Sequence, residues 1–157
     1  MDRSRREFLQ AGGSAGVLAF ATAAGLIRPG EAFAQQQWNK AAFETKSVAA
    51  TLKALGGGGS TESAQIQITA PDIAENGAVV PITIESAIPK TEAIAILIEK
   101  NPNTLSADFD IPPGTDPFIT TRVKMAETSN IYAVVKADGK YFHAAKEIKV
   151  TLGGCGG

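Results

Sequence analysis

Val80-Pro81-Ile82-Thr83-Ile84-Glu85 places valine or isoleucine at every second position, with proline, threonine and glutamate between them. A period of two marks a strand with one face in a core and the other in water. Ile66 and Ile68 alternate in the same way with Gln65, Gln67 and Thr69. Pro71 and Asn76-Gly77 supply a turn signal between the two runs. Because Pro81 cannot donate to a ladder, its strand is expected at a sheet edge or a bulge.

The same pattern recurs down the chain. Ile94 to Glu99, Phe118 to Met125 and Ile131 to Lys136 read as strands, and Asp138-Gly139 reads as a hairpin turn into Tyr141 to Ala145. A last run alternates Ile148, Val150 and Leu152 with Lys149 and Thr151. About seven short strands with frequent turns predict an all-β, immunoglobulin-like antiparallel β-sandwich over residues 60–152.

Ahead of the strands the period changes. Trp38, Ala42, Thr45, Ala49 and Leu52 recur at helical spacing, while Lys40, Glu44, Lys46 and Lys53 fall mostly elsewhere on the wheel. This predicts one short amphipathic helix. Gly56 to Gly59 end it, and Ser60-Thr61-Glu62-Ser63 is expected to continue a flexible linker, so residues 35–59 form a helix with a glycine linker. The glycine run lacks a GxxxxGK[ST] or GxGxxG context, so a phosphate cradle loses to the linker reading.

The N-terminus carries an address. Ser4-Arg5-Arg6-Glu7-Phe8-Leu9 fits a twin-arginine export signal, followed by a Gly/Ala-rich apolar stretch from Ala11 to Ile27 and a small-x-small cleavage site at Ala32-Phe33-Ala34. Residues 1–34 are therefore expected to be removed, leaving a periplasmic protein. A membrane anchor is the weaker reading, since the stretch is marginal in length and is followed by a cleavage site. Removal takes four of the 15 Lys/Arg and three of the 16 Asp/Glu and leaves a net charge of −2. Nothing in that balance calls for nucleic acid or an anionic membrane.

Little in the chain can do chemistry. One cysteine and one histidine exclude a thiolate or imidazole metal cluster of familiar spacing and a CxxCH haem site, so no metal or cofactor is expected. His143 is the one candidate base, and a Cys155/His143 pair has to be weighed against a solvent-facing strand histidine. Asp108 and Asp110 beside Ile111-Pro112-Pro113-Gly114 read as part of a solvated loop.

The cysteine is the exception. Gly153-Gly154-Cys155-Gly156-Gly157 closes the chain with a thiol between two glycine pairs. Four glycines remove every neighbouring side chain, so local packing can neither bury the thiol nor orient it. Glycine also lets a backbone pass through a space too narrow for a Cβ. From Leu152 to Cys155 the chain reaches at most about 10 Å, so whatever acts on the thiol must dock close to the body. An inert or accidental terminal cysteine is the bland alternative. An unpaired thiol in an exported protein is an oxidation hazard unless it is used, which favours a functional Cys155.

Four stretches carry a family resemblance. They are Pro71-Asp72-Ile73-Ala74-Glu75-Asn76-Gly77-Ala78-Val79-Val80-Pro81, Glu99-Lys100-Asn101-Pro102-Asn103, Arg122-Val123-Lys124-Met125 and Val150-Thr151-Leu152-Gly153-Gly154-Cys155-Gly156-Gly157. Together they resemble SoxY, the sulfur-carrier subunit of the periplasmic thiosulfate-oxidising (Sox) system. The resemblance implies a carrier that is not itself an enzyme. It implies Cys155 as the covalent attachment site and Gly153, Gly154, Gly156 and Gly157 as a swinging arm. The implied partners are a small β subunit, SoxZ, forming a heterodimer; the c-type cytochrome complex SoxAX; the dimanganese hydrolase SoxB; and, in some organisms, the sulfane dehydrogenase SoxCD.

Two other classes compete. A chain ending in Gly-Gly could act through its terminal carboxylate, as ubiquitin-like sulfur carriers do, although export argues against an ATP-activated cytosolic route. An immunoglobulin-like adhesion or redox module could use Cys155 for an intermolecular disulfide. Replacing Cys155 by serine separates these, because only the carboxylate mechanism would survive it.

Overall fold

The computed structural model describes residues 39–153. Residues 1–38, which include the expected signal peptide 1–34, and residues 154–157 lie outside that range. Nine strands form two sheets packed face to face, an all-β sandwich. In chain order the strands are β1 (Thr61–Glu62), β2 (Ile66–Thr69), β3 (Ile73–Ala74), β4 (Val80–Ser86), β5 (Thr91–Ile98), β6 (Leu105–Asp110), β7 (Phe118–Val123), β8 (Ser129–Ala137) and β9 (Lys140–Val150). The larger sheet runs β1-β9-β8-β5-β6, with β3 also on β9, and the smaller runs β2-β4-β7.

Alternation along the strands builds the core. Val80, Ile82 and Ile84 of β4, with Ile66 and Val123, face Ile94, Ile96, Ile98, Ile131, Val135 and Ile148 of the larger sheet. Burying each such side chain is worth about 1.5–3 kcal/mol, so this layer dominates the stability. β5 is apolar on both parities for a second reason: Ala95 and Leu97 point to the opposite face, where Leu105, Val134, Ala42 and Leu52 join them in a smaller cluster.

That second cluster is covered by helix, but not by one helix. The chain forms α1 (Lys40–Phe43) and α2 (Val48–Ala54), broken at residues 44–47. The side chains there prefer the backbone to the helical ladder. The Thr45 hydroxyl bonds the Ala42 carbonyl at 2.6 Å, and Ser47 Oγ accepts from the Ala50 amide at 3.2 Å as the cap of α2. Ala49, expected on the apolar face, is exposed, and Thr51 is buried beside Leu52. Gly56, at φ +94°, ends α2, and the Tyr141 hydroxyl on β9 donates to the Leu55 carbonyl at 2.5 Å, tying the helices to the sheet.

Four further expectations are corrected. β4 is central in its sheet, but β2 ends opposite Thr83, so Pro81 has a strand neighbour, Arg122, on one side only. The strand is central by order and an edge where the proline sits. Thr61-Glu62 is not free linker: it pairs in parallel with Phe142 and His143, and the Ser63 amide donates to the His143 carbonyl at 2.9 Å. Asp108 and Asp110 belong to edge strand β6, opposite Ala95 and Ala93, not to a loop. The two last runs form one strand, β9, which Asp138 and Gly139, at φ 50° and 72°, join to β8 through the expected tight hairpin.

Thr104 is fully buried, and its hydroxyl finds no hydrogen-bond partner among the described residues. Its backbone is satisfied by Thr45 and Ile98. Thr51 is equally buried, but its hydroxyl lies 3.0 Å from the Ser47 carbonyl and 2.6 Å from Thr45 Oγ1. Thr104→Val is therefore expected to stabilise the protein by about 1 kcal/mol, and Thr51→Val to cost about 1–2 kcal/mol. Urea unfolding midpoints of the two variants check the opposite signs; a loss on Thr104→Val would show that its hydroxyl is satisfied.

Candidate functional site

Cys155, Gly154, Gly156 and Gly157 lie outside the described residues, so the described part of the candidate site is the segment that leads to them, residues 150–153. Past Val150 the chain follows β3. The Thr151 amide donates to the Ala74 carbonyl at 3.1 Å, and the Thr151 hydroxyl donates to the Glu75 carbonyl at 2.9 Å. The Leu152 carbonyl then accepts from the Gly77 amide at 2.7 Å. Gly153 passes directly over the Ala126 carbonyl: a Cβ there would collide with that oxygen. Only glycine fits this approach without moving one of the two segments.

Two segments form the socket, and each is held from behind. In the first, Asn76 Oδ1 accepts from the Ala78 amide at 2.8 Å, shaping the turn that presents Gly77. Lys146 comes off β9 to bond the Ala70 carbonyl at 2.6 Å and pair with Asp72 at 3.0 Å, so β3 is laid along β9. In the second, Asn101 grips Lys124–Ala126. Its Nδ2 donates to the Lys124 carbonyl at 2.8 Å, and its Oδ1 accepts from the Ala126 amide at 2.9 Å. The intervening Met125 amide donates to the Gly77 carbonyl at 2.7 Å, joining the two segments. Thr128 Oγ1 accepts from the Val150 amide at 2.9 Å.

The four stretches that are scattered through the sequence thus meet at one place, the root of the C-terminal pentapeptide. Of the exposed large apolar residues among those described, Ile73, Val79 and Leu152 belong to these stretches.

His143 is not brought to this place. Its Nδ1 lies 2.9 Å from Ser60 Oγ, and its ring is 6.1 Å from that of Tyr132. At about 3.3 Å per residue, it sits about 23 Å back along β9 from Val150. Thr151 continues away from it, and two residues beyond Gly153 span at most about 7 Å. The Cys155/His143 pair is excluded by reach, and the histidine serves to hold the β1 segment.

Asp108 lies far from the root, in a cleft lined by Asn39, Leu55, Asp110, Lys136 and Tyr141. Burial raises its carboxyl above the usual carboxylate range, and the charge of Asp110 adds to this; Lys136 and the Phe109 amide pull the other way. Among the described residues, no cluster of three or more His, Cys, Asp or Glu could hold a metal.

The described residues form a two-sheet sandwich whose last strand runs into a braced segment that ends at Gly153, two residues before Cys155. Residues 34–155 match the family described as sulfur oxidation protein SoxY, and the chain belongs to that family. The chain is similar to the solved sulfur carrier protein SoxY of Chlorobium limicola f thiosulfatophilum, at 42% identity and a TM-score of 0.57, over 64% of this chain and 93% of that one. No curated protein matches it in sequence. Family membership makes it a sulfur carrier of the Sox system.

The sequence pattern locates β2, β4, β5, β7, β8 and β9, but it has no means of finding Asn101, Gly77 or Ala126 as the support of the exit. The Asn-Pro-Asn and Asn-Gly pairs read as turns, and turns they are; what they hold is fixed by tertiary contacts.

Because the Asp108 pKa is raised on folding, its contribution to stability is complete below the unfolded value, about 4, and is lost as pH rises through the folded value. Asp108→Asn is thus expected to stabilise the protein at pH 7, with little effect at pH 3. Thermal unfolding at the two pH values checks it; equal gains at both would remove the ionisation of Asp108 as the cause.

Proposed function

We propose that the mature chain carries sulfur cargo covalently on Cys155, at the end of a swinging arm formed by Gly153, Gly154, Gly156 and Gly157, in the periplasm. The observation that carries this reading is the family match, which runs to Cys155 itself, together with the convergence of hydrogen bonds at Thr151 and Leu152. Export rests on the twin-arginine pattern and on cleavage after Ala34.

Loading forms an S–S bond between Cys155 Sγ and the sulfane sulfur of thiosulfate. The thiol proton goes to solvent, and two electrons go to the cytochrome complex SoxAX. Hydrolysis by SoxB releases sulfate and leaves sulfane sulfur on the cysteine, which SoxCD oxidises where it is present. The chain supplies neither oxidant nor base: no cation neighbours Cys155 in sequence to lower its pKa. Activation therefore belongs to the enzymes, and the chain is a substrate-bearing subunit, docked to a SoxZ-like β partner. A tether raises the local concentration of cargo at each enzyme in turn.

Intact mass spectrometry of protein from thiosulfate-grown cells is expected to find reductant-labile mass on wild type and none on Cys155→Ser. An unmodified thiol under all growth conditions counts against the carrier mechanism. Gly154→Val and Gly156→Val are expected to leave the melting temperature unchanged and to reduce thiosulfate-dependent cytochrome reduction at least tenfold, because a β-branched side chain both widens the arm and restricts φ. Full turnover with valine at both positions would show that the arm enters no narrow channel.

A further inference from the structure

Among the described residues Asn101 makes no hydrogen bond to β9 or Gly153; its side chain reaches the exit through the backbone of Lys124–Ala126. Its side-chain amide spans the Lys124 carbonyl and the Ala126 amide at 2.8 and 2.9 Å. This bidentate grip restrains Lys124–Ala126, since both ends of the amide are matched to backbone groups of opposite polarity. The clamped segment then makes two contacts toward the exit. The Met125 amide holds the Gly77 carbonyl at 2.7 Å, and the Gly77 amide holds the Leu152 carbonyl at 2.7 Å. The Ala126 carbonyl lies where a Cβ of Gly153 would be.

Met125 is fully buried, so its segment is anchored from the core as well. Residues 101 and 124–126 are distant in sequence from both Gly77 and Gly153, so the arrangement is a tertiary brace and not a local turn.

We propose that Asn101 is a positioning residue for the cargo thiol: by clamping Lys124–Ala126 it fixes the point and direction at which the chain leaves the body at Gly153. Gly153 is then the fixed end of the arm, and its glycine is required for close approach to Ala126 rather than for motion. The swinging length begins at Gly154. This deepens the carrier reading of Cys155 and rests on it for its purpose, but the geometry it asserts can be measured without cargo.

The test uses the mature full-length protein with Asn101→Ala, Asn101→Asp and Gly153→Ala. Amide exchange is followed at Met125 and Gly77. In Asn101→Ala it is expected to speed up about tenfold, the size of one or two ordinary hydrogen bonds, while Ile96 and Ile131 in the core are unchanged. Asn101→Asp keeps the acceptor for the Ala126 amide and is expected to fall between. Nitroxides on Cys155, the only cysteine of the chain, and on Thr120→Cys, exposed on β7, report the spread of positions of residue 155. That distance distribution is expected to broaden in Asn101→Ala and, by collision of the new methyl with Ala126, to shift or broaden in Gly153→Ala.

Unchanged exchange at Met125 and Gly77 with an unchanged distribution in Asn101→Ala would overturn the proposal. Should that variant not fold, an unchanged distribution in Gly153→Ala overturns it instead. Failure of the carrier reading looks different: Cys155 would take up no reductant-labile mass, while the exchange and distance changes would still appear.

Discussion

The open edge of β9 is the constraint on which the rest of the structure depends. One edge of this strand is fully paired with β8, from Ala137↔Lys140 to Ser129↔Ile148. The other would be a long unpaired row of backbone donors and acceptors, a template for pairing with another chain. Two short parallel pairings cover it. β1 takes the beginning, at Phe142 and His143, and β3 takes the end, at Lys149 and Val150. Each pairing fixes something else: β1 leads the chain out of the helices, and β3 carries the last residues of β9 toward the exit.

Covering an edge with two-residue strands is possible only because side chains assist. Ser60 engages His143, and Lys146 holds Ala70 and Asp72. Neither pairing buries much apolar area, so these segments would fray without their polar ties. A carrier benefits from that placement of order. Cargo on a tether is useful when the tether has a defined origin, because the volume searched by the thiol then overlaps an enzyme docked on the body. A loose root adds positions that are never productive and dilutes the thiol at the active site.

Much of this was legible in the sequence, and the part that was not has a physical cause. β4, β5 and β8 announce themselves because each buries apolar residues at alternate positions, and burial is what periodicity reports. β1 and β3 escaped because two-residue strands have no period. β6 escaped because Ser106, Asp108 and Asp110 on an edge read as loop. The helix was expected in one piece because the wheel positions of Thr45 and Ala49 suit an apolar face, whereas hydroxyl capping at Thr45 and Ser47 broke it. The reading of Cys155 rests on a different signal: it comes from composition, a thiol between glycine pairs, and composition needs no fold to be read. Its socket depends on backbone carbonyls and amides of Ala74, Gly77 and Ala126, which every sequence possesses and none advertises.

Stability and function therefore draw on different parts of the molecule. The isoleucines between the sheets carry most of the free energy of folding, and their one hydrogen bond to the exit is a backbone one, from the Asn101 amide to the Ile98 carbonyl at 3.3 Å. The exit is built from hydrogen bonds that join exposed or half-buried Thr151, Leu152 and Asn101 to a few neighbouring backbone groups, and each bond adds only about 1 kcal/mol net. A substitution at the root can then leave the fold nearly as stable while moving the thiol, and one in the core can weaken the fold while leaving the exit geometry of the folded fraction intact. Within the closing segment Gly153 has a physical reason of its own to be small: the Ala126 carbonyl occupies the space that its side chain would need.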